Sequence, residues 1–481
     1  MAYSVTKRYF ITLLFTFGRS GLNFITGLLL AKFLGPSDFG TMAFLLGTFL
    51  ALRQLLDMGT AQAFFTFMSQ KIRSKFFVFS YFGWLAIEFF LVILIIELFL
   101  PDSWIENIWK GEQRTLIAMA FAATFLQNSV WPSVQQALEA QRKTYISQFL
   151  GFFIILCHSG ALFTLWLNDE LGIISIFIAI FIEYTLALFI SNRFLIFSDS
   201  EENKFKREST KDIFDKYLGY CKPLIIYSCL GFLYSFTDTW LLQYFGGSVN
   251  QAYYAVSSKF SGIVILATAS FINIFYKEIA EAHHQKKTEY LKNLYLKVSR
   301  LLFFVGACIS CFFMPWTNYL LTNLLGPSYA DAHATLIIMF FYPIHQSMGQ
   351  IGSSFLLATN KVKTQVKLGV IFMVLSIAVS YFVLADKDSI IPGLGLASEG
   401  LAMKMIFMQL IQVNVLAYII SKKIKIKFDW LYQLVSITMC VLASYFSHYI
   451  LTNLYSLDDF NIFTVGCLLY TSDAADEEDS V

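Results

Sequence analysis

The sequence predicts an all-α polytopic membrane protein: two six-helix bundles, then a C-terminal helix pair whose last member is truncated. Three observations carry this expectation. Of 481 residues, 57% are hydrophobic and 14% charged, against about 25% charged in an average soluble domain. The apolar residues gather into runs of about 20, the length at which a helix crosses hydrocarbon. Lysine and arginine then concentrate in alternate connections between those runs, as the positive-inside bias requires.

Thirteen runs lie near 9–34, 40–67, 76–100, 114–138, 145–167, 171–194, 217–244, 250–276, 299–324, 332–357, 366–385, 394–421 and 429–452. The first follows Lys7 and Arg8 and is too long for the apolar core of a signal peptide. A fourteenth starts near Phe460 and is interrupted by "CLLYTSDAADEEDSV". That tail, 467–481, resembles the translation of a transposase-type sequencing adapter and is set aside as non-native. No run shows the sustained alternation of a membrane β-strand. Cys308 and Cys311 fall inside an apolar helix pattern and are expected to be small packing residues, not a redox pair.

The N-terminus and the even-numbered connections hold 27 of the 35 basic residues. The odd-numbered connections hold Lys32, Lys110, Arg114 and Lys387, and the last four, Arg19, Arg53, Lys259 and Lys404, lie within spans. One missed helix would scramble this alternation, so it supports the count and predicts a cytoplasmic N-terminus. The divisions expected are a first bundle 1–194, a basic cytoplasmic linker 195–216, a second bundle 217–421 and extra helices 429–466. The basic linker suits anionic lipid better than nucleic acid. The stretch "YLKNLYLKVSR" spaces Tyr290, Leu291, Leu294, Tyr295 and Val298 for a helix on the inner leaflet, or for a solvated helix start.

"LGPS" occurs at Leu34–Ser37 and Leu325–Ser328, both in odd connections. The glycine is expected to end one helix in the left-handed region, and the proline to start the next. "LAKFLGPSDFGTMA" is echoed by "LLQYFGGSVNQAYYA" in the second half, with Gly35 and Ser37 matched to Gly246 and Ser248. Repeated bundles with a cavity between them are a transporter plan.

"AKFLGPSDFGTMAF…LRQLLDMGTAQAF", "TDTWLLQYFGGSVNQAYYAVSSKF" and "LLGPSYADAHATLIIMFFYPIHQSMGQIGSSFLLATNKVK" resemble the polysaccharide flippases, the O-antigen and repeat-unit translocases of the multidrug/oligosaccharidyl-lipid/polysaccharide exporter superfamily. The resemblance covers residues 1–460. It implies a V-shaped, alternating-access transporter in the bacterial inner membrane. The implied cargo is an undecaprenyl-diphosphate-linked oligosaccharide, moved from the inner to the outer leaflet. It also implies membrane lipid, a glycan polymerase and chain-length proteins as partners, no cofactor beyond a coupling H⁺ or Na⁺, and no catalytic or metal site.

Such a cargo calls for a wet, positively charged cavity. Charges inside a bilayer cost about 2.5–3.5 kcal/mol on insertion scales, so they face a cavity or a partner. Arg19, Arg53 and Lys259 are the candidate diphosphate ligands; guanidinium binds phosphate oxygens in pairs. Asp57 lies four residues from Arg53 on one helix face, where a local ion pair is the plainer reading. Asp238 is expected to pair with Lys259, or to bind the coupling ion. The family comparison supports Asp57 and Asp238 as recurring acids without fixing their role. Lys404 is expected to snorkel. Glu88 and Glu183 read equally as proton sites or packing groups. His345 at the Pro343 kink, Gln346 and Gln350, with Ser347, Ser353 and Ser354, are a candidate polar path for sugar, against plain helix–helix hydrogen bonding.

Competing functions are a multidrug or lipid II-type exporter of the same superfamily, and a membrane glycan polymerase or acyltransferase. The basic intramembrane set favours anionic cargo. The short outer connections and the lack of a clustered acid/base set weigh against an enzyme. No phosphate-cradling G-x-x-x-x-G-K-[ST] occurs, which weighs against direct ATP hydrolysis.

Overall fold

The computed structural model describes residues 5–71, 73–197 and 210–454, and among them every regular element is helical. In the first half α1 runs Val5–Asp57 and α2 runs Thr60–Gln70. They are followed by α3 (Lys75–Leu94), the short α4 (Asp102–Trp109), α5 (Arg114–Phe125), α6 (Trp131–Ala140), α7 (Thr144–Leu167) and α8 (Ile173–Asn192). The second half opens with α9 (Thr210–Cys221), α10 (Ile225–Leu241), α11 (Gly247–His284) and α12 (Thr288–Phe313). It continues through α13 (Thr317–Leu324), α14 (His333–Phe340), α15 (Tyr342–Ala358), α16 (Val362–Leu384) and α17 (Ala397–Ile424). Last comes α18 (Trp430–Leu454), which packs on α12, where Cys308 Sγ lies 3.7 Å from Cys440 Sγ. The remaining C-terminal segment, with the run near Phe460 and the adapter-like tail, lies outside the described residues.

The first two expected spans are separate: α1 consists of two helical arms joined at the non-helical Gly35, and the second arm with α2 makes up the second span. Gly35 has φ 74°, ψ 171°, and Gly326 in the second LGPS has φ 106°, ψ 169°. Neither is the left-handed helical cap expected. Both lie in the mirror image of the extended region, which a Cβ closes to other residues. Gly247 repeats the Gly35 geometry at φ 73°, ψ −180°. The internal echo therefore aligns Gly35 with Gly247, one residue beyond the Gly246 suggested by sequence. These glycines mark one end of the molecule, here the LGPS face; the connections rich in lysine and arginine mark the other, the basic face.

At the basic face two segments take definite form. The linker 195–216 is already helical from Thr210, because Ile213 has a place to bury and α9 packs on α2. Of the two readings of Tyr290–Val298, the helix start is the one observed, with its apolar stripe buried rather than solvated. It is the first part of α12, and Leu291, Tyr295 and Val298 bury against Ile279, Ala282 and Phe355. Burial against α11 and α15 wins over the lipid surface for the same apolar stripe.

The two halves meet along a seam. Thr41 Oγ1 and Ser248 Oγ are 3.1 Å apart, Gln54 Nε2 donates to Ser235 Oγ at 3.0 Å, and the Thr66 and Tyr220 hydroxyls are 3.5 Å apart. These ties run from the LGPS face to the basic face. The first arm of α1 behaves differently. Among the described residues, its hydrogen bonds and ring contacts to the second half are at Phe24, on Phe260, and Ala31, whose carbonyl accepts from Tyr329 Oη at 2.9 Å. Both lie nearer the LGPS face; at the basic face the halves are tied instead by α2 and α3, where Phe67, Phe77 and Tyr81 pack on Tyr217 of α9.

Candidate functional site

Lys259 stands about a third of the way along α11 and reaches across the seam to Gly27 on the first arm of α1. A Cβ on Gly27 would lie 2.5 Å from Lys259 Nζ. The missing side chain is thus what lets the ammonium lie against the other bundle. Among the described residues no carboxylate comes within 4.0 Å of Lys259, and its Nζ makes no hydrogen bond to protein. The expected Lys259–Asp238 pair is absent.

Asp238 on α10 is instead neutralised from α17. Lys404 Nζ donates to Asp238 Oδ2 at 2.5 Å, Ser380 Oγ donates to Asp238 Oδ1 at 2.5 Å, and the ammonium sits 4.5 Å from the Tyr234 ring centroid. Lys404 is 1% exposed. It cannot snorkel, because it points into the second bundle, not along a helix end. Burying either charge alone is prohibitive, and the pair with its hydroxyl is the solution reached.

Arg19 and Arg53 stay within the first bundle. Arg19 projects toward α6 and α7: a Cβ on Gly151 would lie 3.1 Å from both Arg19 Nη1 and Gln135 Nε2. Arg53 shares a water-sized cavity of about 10 Å³ with Asp57, Tyr81, Glu88, Ser129 and Ser133. It does not cross to the second bundle; its neighbour Gln54 does, and sequence reasoning passed over Gln54. Arg53 and Asp57 form no ion pair among the described residues. Asp57 Oδ1 accepts from Ala61 N at 2.8 Å and Thr60 Oγ1 at 3.2 Å, so it caps α2 after the break at Gly59. Capping uses the carboxylate where four orphan N–H groups need acceptors. The three expected cations therefore do not converge on one point. Arg19 and Gly27, where Lys259 docks, are about 12 Å apart along the helix axis.

Glu183 accepts from or donates to His158 Nδ1 at 2.9 Å, tying α8 to α7. His345 leaves the expected polar path: it is 5% exposed and packs edge-on against Phe303 of α12, 5.6 Å between centroids. Pro343 starts α15 afresh after α14, and that turn sends the imidazole into the α12 interface. Gln346 and Gln350 remain on the path. Both line a cavity of about 630 Å³ bounded by α11, α15 and α17.

The family model described as "Polysaccharide biosynthesis protein" matches residues 5–272, and the MatE model matches 223–382. No curated protein matches the chain. Among solved structures, the fold is similar to a "Lipid II flippase MurJ, inward closed conformation" at 14% identity and TM-score 0.70, covering 98% of this chain and 99% of that one. It is also similar to an inward-facing multidrug resistance MATE family transporter at 14% identity and TM-score 0.61, covering 85% and 95%. A transporter from Pyrococcus furiosus with a binding pocket of reversed polarity matches at 14% identity and TM-score 0.55, covering 86% and 94%. At such identity these likenesses concern the fold.

Proposed function

The chain belongs to the polysaccharide biosynthesis protein family, a transporter family of the multidrug/oligosaccharidyl-lipid/polysaccharide superfamily, and from that premise we propose that it flips an undecaprenyl-diphosphate-linked oligosaccharide across the bacterial inner membrane by alternating access. The basic face is then cytoplasmic, and the cargo leaves at the LGPS face. Family and structural neighbours are transporters and flippases, not enzymes.

One contrast carries the reading. Of the two lysines within spans, Lys404 is neutralised by Asp238, whereas Lys259 is held at the seam with no carboxylate within 4.0 Å among the described residues. An unneutralised ammonium between two bundles is costly in a bilayer unless water or an anion meets it. A diphosphate is such an anion, and it repels no group at Gly27. Arg19 and Arg53 add positive field from the first bundle and meet the cargo as the bundles rearrange. With Asp238 committed to Lys404, the acids left for a coupling H⁺ are Asp57 and Glu88 at the Arg53 cavity and Glu183 beside His158. A cationic drug gains nothing from Lys259, which disfavours a multidrug exporter.

The test is complementation of a strain lacking its own flippase. Lys259→Met is expected to lower surface glycan roughly tenfold or more, the worth of a charged hydrogen bond, at unchanged protein abundance, and Lys259→Arg to retain most of it. Full export by Lys259→Met removes the reading.

A further inference from the structure

The 630 Å³ cavity of the second bundle has a lining unlike that of the seam. On α15, Gln346, Gln350, Ser353 and Ser354 follow at helical spacing on one face; on α17, Gln409 and Gln412 oppose them. Among the described residues no carboxylate, ammonium or guanidinium lines it. Inside the part of a membrane protein that faces no water, such amides would be satisfied pairwise. Here they are only partly so. Gln409 Nε2 donates to Gln346 Oε1 at 2.5 Å. Gln350 Oε1 is buried without a partner. Gln412 makes no side-chain hydrogen bond to protein among the described residues. An unmatched buried acceptor costs about 1–3 kcal/mol, so these amides call for water or for a hydroxyl-bearing guest in the cavity.

Amides present donor and acceptor together and carry no charge. Sugar hydroxyl and acetamido groups do the same, and each hydroxyl both gives and takes a hydrogen bond. An anion would find no counter-charge in this cavity, and an apolar cation would find too few apolar walls and no carboxylate. The volume lies within the usual range for small-ligand sites, about 300–1,000 Å³. Ile272 of the cavity and Lys259 share α11, about 20 Å apart by helix rise, so one extended molecule can engage both.

We propose that the amide-lined cavity between α11, α15 and α17 is a carbohydrate subsite for neutral, hydroxyl-rich sugars, separate from the cationic seam that takes the diphosphate. It rests on the flippase reading above. It assigns selectivity between glycans to the second bundle: neutral hexoses and N-acetylhexosamines are accepted and uronic-acid sugars are disfavoured.

The experiment uses the purified full chain in nanodiscs and three synthetic lipids with the same prenyl diphosphate. One is bare, one carries an N-acetylhexosamine disaccharide, and one carries a uronic-acid disaccharide; affinities are read by tryptophan fluorescence. The wild type is expected to bind the neutral glycolipid about tenfold more tightly than the bare lipid, the equivalent of one or two hydrogen bonds, and the uronic form no better than the bare one. Gln350→Leu with Gln412→Leu should abolish the tenfold advantage while bare-lipid affinity holds, which also reports that the chain is folded. If that double variant loses bare-lipid binding, Gln350→Asn serves, since a shortened amide should cut the advantage and spare the bare lipid. An advantage unchanged in these variants overturns the proposal, as does a wild type that binds bare and neutral lipids equally. A wild type that binds none of the three overturns the flippase reading itself.

Discussion

The two lysines placed within spans have opposite fates, and the difference lies in what faces them. Lys404 meets Asp238 and is sealed; Lys259 meets a glycine. The sealed pair makes a stability prediction. Removing one partner strands the other charge in an apolar interior, so Asp238→Ala or Lys404→Ala should each cost about 3–5 kcal/mol. Asp238→Leu with Lys404→Met fills the same space without charge and should recover most of that loss. Thermal unfolding of the purified variants by intrinsic fluorescence checks both. A single variant as stable as the parent would mean that the ammonium reaches water. If the double variant is stable but does not export glycan, the pair also serves transport. The choice of partner was not legible in the sequence. Lys259 and Lys404 are both apolar-flanked lysines, and only the packing of α10 on α16, and of α16 on α17, decides which one Asp238 meets.

At the scale of elements, helix type and span order were legible because length and hydropathy alone fix them. Helix ends were less so. Glycine punctuation showed that Gly35 starts a turn, but the backbone region it occupies depends on the two arms packing side by side. The near-identity of Gly35 and Gly247 geometry ties the two halves as structural repeats. A Cβ meets nothing within 4 Å at either position, so any cost of alanine there is backbone strain. Gly35→Ala and Gly247→Ala should therefore lower stability by similar amounts, about 1–3 kcal/mol each. Gly83, exposed inside α3 with open space around it, is the control; alanine there should gain about 0.5–1 kcal/mol from helix propensity. Midpoints of thermal unfolding compare the three directly. Equal midpoints for Gly35→Ala and Gly83→Ala would contradict the strain assignment. His345 shows the opposite limit of sequence reading. It shares a helix with Gln346 and Gln350, yet one step of 100° turns it into the α12 interface while they face the cavity.

Across the whole molecule, the clamp between α1 and α11 at the LGPS face is the contact that the proposed alternating access would have to break. Gly40 lies so close to Ser248 that a Cβ would strike its backbone carbonyl, and the Thr41 and Ser248 hydroxyls are 3.1 Å apart beside it. A backbone atom cannot rotate away, so Gly40→Ala must move α1 and α11 apart. The same juxtaposition permits a crosslink. With Cys157, Cys221, Cys229, Cys308, Cys311, Cys440 and Cys467 replaced by serine or alanine, Thr41→Cys with Ser248→Cys should form a disulfide under mild oxidation. The proposed alternating access requires this face to part, so on that proposal the crosslinked protein should lose surface glycan export and regain it on reduction. Adding Gly40→Ala should slow crosslinking severalfold, because the hydroxyl-to-hydroxyl distance is held only while the arms touch. Export that continues through the intact disulfide would show that cargo leaves without this face opening, and the clamp would then be a fixed hinge. Loss of export that reduction reverses identifies it as the moving gate.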